Sequence, residues 1–179
     1  MSWQERPRQQ KKAGKPADDQ PSLEIQKTLY LGVQHQNAGD LAKAEPLYRQ
    51  VLETTPDEPT ALHLLGVLAF QTGRGEKATQ LFTRAIAVQP DNAETHSNLG
   101  VALQRMGKLE DAVASFRTAT TLQPEYVEAH SNLSAALQDL GKMEDAAISA
   151  RTALTLAPDH ADAHNNLGLA LQDLGLLDD

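Results

Sequence analysis

The chain has 179 residues, 40% of them hydrophobic but only 4% aromatic, with 24 acidic and 16 basic side chains and no cysteine. A net charge of −8 argues against nucleic acid or an anionic membrane as partner, because phosphate binding draws on Lys and Arg. The absence of cysteine excludes disulfides and thiolate metal sites and fits a cytoplasmic setting. No apolar run reaches the ~18 residues of a membrane span, and the first residues carry no apolar secretory segment.

Residues 1–22 read as a flexible polar leader. Arg6, Arg8, Lys11, Lys12 and Lys15 face Glu5, Asp18 and Asp19 there, a net of +2, which leaves the rest of the chain 11 basic and 21 acidic groups. Trp3 is an isolated apolar residue within it.

Beyond the leader the chain keeps a fixed beat. Pro56, Pro90, Pro124 and Pro158 recur every 34 residues, as do Gly39, Gly73, Gly107, Gly141 and Gly175. Ala44, Ala78, Ala112 and Ala146 form a third column, and Leu31, Leu65, Leu99, Leu133 and Leu167 a fourth. A period of this length means one small unit copied and stacked. Counting back from each proline places units at 25–58, 59–92, 93–126 and 127–160, with a partial unit at 161–179.

In the first unit, Pro46 falls inside the second helix and is expected to loosen or kink it. The third unit shows the plan most clearly. His96, Leu99, Gly100, Leu103 and Met106 make an apolar stripe at helical spacing, and Gly107 supplies the left-handed stop. Leu109, Ala112, Val113, Phe116, Ala119 and Leu122 make a second stripe, closed by Pro124. The unit is thus a helical hairpin, with small Gly100 and Ala112 at the close approach and Phe116 expected to fill the space between hairpins. The fourth unit has Ser134 in the glycine column and Ala150 in the aromatic one, which predicts a thinner junction after it. The last unit holds only a first helix, whose Leu167, Leu171 and Leu174 offer an apolar face. Two expectations follow, a fragment of a longer protein or a chain naturally truncated here, and separately that helix is a candidate for self-association.

With Leu at position 7, Gly at 8 in most units, Gly at 15, Ala at 20, an aromatic at 24 in the first three units, Ala at 27 in three and Pro at 32, the unit resembles the tetratricopeptide repeat, whose pattern has an aromatic near position 4 where the first unit has Thr28. The resemblance implies an all-α, right-handed α-solenoid of stacked helix-turn-helix hairpins, and a protein or peptide as partner. It specifies fold far better than function.

First helices line the concave side of such an array. Position 6 reads Tyr30, Leu64, Asn98, Asn132, Asn166, and position 12 reads Gln36, Phe70, Gln104, Gln138, Gln172. Ser97, Ser131 and Asn165 at position 5 complete the candidate groove. A primary amide both donates and accepts, so rows of them can pair with an extended backbone without reading its side chains. Equally, Asn at position 6 can solvate the groove or bond within its own helix. The H-S-N-L-G, H-S-N-L-S and H-N-N-L-G segments are similar to repeats of the O-linked N-acetylglucosamine transferase family, whose superhelix holds substrate polypeptide on an asparagine ladder. That resemblance implies Asn98, Asn132 and Asn166 as the ladder, interrupted at Tyr30 and Leu64.

His96, His130 and His164 recur at position 4, about one repeat apart, too far for a shared zinc. They are assigned to the aromatic packing slot, and His63 to the groove. No metal site, cofactor loop or catalytic motif is read; carboxylate pairs such as Glu110–Asp111 stand at helix starts, where they favour the dipole. The functional expectation is a non-catalytic interaction scaffold, or alternatively the substrate-recruiting arm of a longer glycosyltransferase or sulfotransferase.

Overall fold

The computed structural model describes residues 22–176, so all of the leader but Ser22, and Trp3 with it, lie outside the described residues. Among those described, nine helices follow in order: α1 Leu23–Asn37, α2 Leu41–Thr54, α3 Pro59–Gln71, α4 Gly75–Val88, α5 Ala93–Arg105, α6 Leu109–Leu122, α7 Val127–Asp139, α8 Met143–Leu156 and α9 Ala161–Asp173. Each odd helix and its successor form one hairpin, and α9 stands without a second helix among the described residues.

The glycine column makes the turns. Gly73, Gly107 and Gly141 hold φ of 75°, 73° and 72°, the left-handed region an L side chain rarely adopts. The next residue's N–H then reaches back to the helix, as in Arg74 N to Ala69 O at 2.8 Å and Lys142 N to Leu137 O at 2.8 Å. The proline column makes the joints between hairpins. The residue before each proline is forced out of helical geometry, for example Gln123 at φ −135°, ψ 89°. Glu58 and Asn92, at the last position of their repeats, then cap the following helices by accepting from Ala61 N at 2.5 Å and Thr95 N at 2.8 Å.

First helices touch each other in sequence, α1 to α3, α3 to α5, α5 to α7 and α7 to α9. The backbones of the second helices stand apart and touch only first helices. An array with one tightly spaced layer and one splayed layer curves toward the tight one. The odd helices therefore form the inner wall of an all-α solenoid.

The core sits between the layers. Tyr48, Phe82 and Phe116 are fully buried, each lying on the position-8 glycine of its own hairpin: Gly32, Gly66 and Gly100. A Cβ on Gly66 or Gly100 would sit 2.7 Å from the ring, so only glycine fits there. Phe116 therefore fills the space within its hairpin, not between hairpins as the spacing suggested. The same geometry revises the fourth repeat. Ser134 replaces the glycine and Ala150 the aromatic at one contact, both wholly buried, and Ser134 Oγ donates to Ala146 O at 2.8 Å. The two departures compensate each other inside the hairpin. Pro46 leaves α2 continuous over its 14 residues. It lies on the exposed outer side, as does Ala42, whose carbonyl water can solvate.

Candidate functional site

The inner wall is built from one face of α1, α3, α5, α7 and α9. Neighbouring first helices are tied by a repeating side-chain bridge from position 12 of one repeat to position 13 of the next. Gln36 Nε2 donates to Gln71 Oε1 at 2.9 Å, and Gln104 Nε2 to Asp139 Oδ2 at 2.7 Å. Between them Phe70 replaces the glutamine, and the Arg105 guanidinium stacks over its ring at 4.4 Å. In the fourth repeat Gln138 Nε2 donates instead to Asn166 O at 2.7 Å, and Asn166 Nδ2 returns to Ser131 O at 3.0 Å. Gln36 also accepts from the buried Tyr48 hydroxyl at 2.7 Å; burial pushes that phenol up to about 12.

These bonds divide the predicted groove residues. Gln104, Gln138 and Asn166 are engaged in holding α5 to α7 and α7 to α9. Ser97 and Ser131 are buried at 3% exposure, Ser97 against the Tyr126 hydroxyl and Ser131 beneath Asn166. Asn165 and Gln172 are exposed on α9. Asn98 and Asn132 stand apart: both are half-buried on the inner wall, and neither side-chain amide has a hydrogen-bond partner among the described residues.

The histidines do other work than the sequence suggested. His96, His130 and His164 are not packed in an aromatic slot. Their Nε2 atoms bond the carbonyls of Pro90, Pro124 and Pro158 at 2.9, 2.8 and 2.7 Å, pinning each first helix to the preceding joint. His63 is buried rather than open to the groove. Its Nδ1 lies 2.8 Å from Thr95 Oγ1 and its Nε2 3.6 Å from Glu94, clamping α3 to α5, with its ring 5.8 Å from Phe82. The His63 contact holds the Glu94 carboxyl below its ordinary value. No group of three or more metal-ligating side chains converges among the described residues.

From α6 to α9, charge is segregated between the layers. The inner helices α7 and α9 carry Glu128, Asp139, Asp162 and Asp173 and no Lys or Arg. The outer helices α6 and α8, with their capping lysines Lys108 and Lys142, carry four acidic and four basic groups. Burial, aided by Glu94 and Glu128 close by, raises the Tyr126 phenol. No described helix is long and apolar enough to cross a membrane.

Stacked helical hairpins with a polar inner wall define a repeat scaffold for protein interaction. Residues 37–99 match one tetratricopeptide repeat profile, and residues 97–159 and 136–179 match another. The chain belongs to the tetratricopeptide repeat family. No curated protein matches it in sequence. Among solved structures it is similar to a crystal structure of MamA, with 23% identity and a TM-score of 0.77 over 83% of this chain and 86% of that one. A second MamA structure gives 22% and 0.78, over 86% and 84%. A mutant O-GlcNAc transferase from Thermobaculum terrenum is 34% identical with a TM-score of 0.69, over 73% of this chain but only 26% of the enzyme. With 376 matching chains, the shape alone does not choose a partner.

Proposed function

We propose that this array holds an extended polypeptide on its concave face, with Asn98 and Asn132 as the residues that pair with the ligand's backbone. The observation that carries this reading is the free, half-buried amide on each of two adjacent first helices. Neighbouring first helices lie ~8–10 Å apart, about the span of three extended residues. Two amides at that interval meet peptide groups in register and are indifferent to side-chain identity. Gln104, Gln138 and Asn166 act behind them by fixing the helix spacing.

The test is a titration of the full chain with labelled, unstructured peptides of mixed sequence. Asn98→Ala/Asn132→Ala is expected to weaken binding about thirtyfold, from roughly 1 kcal/mol for one hydrogen bond lost at each amide. Asn166→Ala serves as the structural comparator. Unchanged affinity in the double variant overturns the reading.

A second reading is favoured by the 34% identity to the transferase. Here the array recruits substrate polypeptide for an attached glycosyltransferase or sulfotransferase. Reading the gene past Asp179 tests it: a transferase domain supports the idea, and a stop codon or repeats alone remove it.

A further inference from the structure

We propose that the inner wall of α5, α7 and α9 is a docking site for the chain's own basic segment, residues 6–15, which lies there as an internal occupant. This rests on the reading above, that the wall holds extended polypeptide, and names what it holds in the isolated chain.

Charge complementarity carries the argument. Arg6, Arg8, Lys11, Lys12 and Lys15 fall within ten residues that contain no acidic side chain. Of the inner helices opposite, α5 balances Glu94 with Arg105, whereas α7 and α9 are acidic without compensation: Glu128, Asp139, Asp162 and Asp173 are all exposed, and none forms an ion pair among the described residues. Asp139 is placed on the inner wall by its bond from Gln104, and Glu94 by its contact with His63. The balanced charges of α6 and α8 give the outer layer no such pull.

Reach agrees with charge. Lys15 precedes Ser22, the cap of α1, by seven residues, and Arg6 precedes it by sixteen. At most ~3.3–3.6 Å per residue, Lys15 can reach about 24 Å and Arg6 about 55 Å from that anchor. The helices α7 and α9 stand three and four steps from α1, about 24–40 Å at ~8–10 Å per step. The leader is therefore long enough to bring its basic residues to the acidic helices. Its docking is electrostatic, so salt releases it.

Zero-length carbodiimide cross-linking of the full chain, read by mass spectrometry, tests this. Lys11, Lys12 and Lys15 are expected to join Glu128, Asp139 or Asp162 within one chain. The yield should exceed that to Glu110, Asp111, Glu144 and Asp145 severalfold and fall severalfold in high salt. Arg6→Glu/Arg8→Glu, which keeps all three lysines as reporters, should cut the inner-wall products several times over. Equal labelling of both layers, or an unchanged yield in that variant, overturns the proposal. So do cross-links that join heavy and light chains in an isotope-mixed sample, since a second copy is then the occupant. The two readings fail separately. Loss of inner-wall cross-links while Asn98→Ala/Asn132→Ala still weakens added peptides removes only the leader. Cross-links that persist while that variant binds peptides normally remove only the amide pairing.

Discussion

Position 8 of the repeat shows how one residue type serves opposite ends in a single fold. Gly100 lies under the Phe116 ring, and a Cβ there would come within 2.7 Å of it. Gly168 occupies the equivalent place in α9 with nothing within 4 Å. Alanine should therefore act with opposite sign at the two sites. Gly100→Ala is expected to destabilise by about 1–3 kcal/mol through overpacking. Gly168→Ala is expected to stabilise by up to about 1 kcal/mol through helix propensity. Urea denaturation of the two variants checks the pair, and a shared sign would refute the packing account. The column of glycines was plain in the sequence, but its reason was not. The aromatic it accommodates is sixteen residues away, in a helix whose rotation the repeat period does not specify.

Elements were the most legible scale, because glycine and proline punctuate this chain by backbone geometry alone. Hairpin turns, joints and helix order follow from them. The histidine bonds were hidden, although the constant six-residue interval from Pro90 to His96, Pro124 to His130 and Pro158 to His164 was there to read. The bonds between elements were hidden as well, since their partners belong to different repeats. Glu45 on α2 is the clearest case. It accepts from Arg74, at the cap of α4, at 2.7 and 3.1 Å, and from Arg49 at 2.6 Å. The Arg74 hydrogen bonds hold its carboxyl below the ordinary value. A depressed carboxyl contributes its stability above the unfolded-state value of ~4.3 and loses it as pH falls through the lower folded value. Thermal melts from pH 5 downward should thus show a steeper loss in the native chain than in Glu45→Gln. Parallel curves would mean that the exposed half of this pair is screened to nothing.

At the scale of the whole molecule, the inner wall was legible from the period, but which of its amides bond a neighbouring helix was not. Amides recurred in two rows, and nothing in their spacing told which were engaged. Gln104 and Gln138 find partners one repeat further along, leaving Asn98 and Asn132 free. The one visible hint was that Phe70 breaks the glutamine row where Arg105 breaks the next column.

The same arrangement makes the array uneven. Hairpins one to three each close an aromatic ring on a glycine, whereas α7 and α8 meet through Ser134 and Ala150, and α9 has one fewer neighbour. In a linear array stability is a sum of unit and nearest-neighbour contributions, so α7–α9 form the weaker part of the described array. Native-state hydrogen exchange should then show α7–α9 opening at lower free energy than α3–α6. Placing the missing pair, Ser134→Gly with Ala150→Phe, should raise protection in α7–α9. Ala150→Phe alone should lower it, because the ring would meet the serine side chain. A single opening free energy across all helices would show instead that the inner-wall bridges bind the array into one cooperative unit.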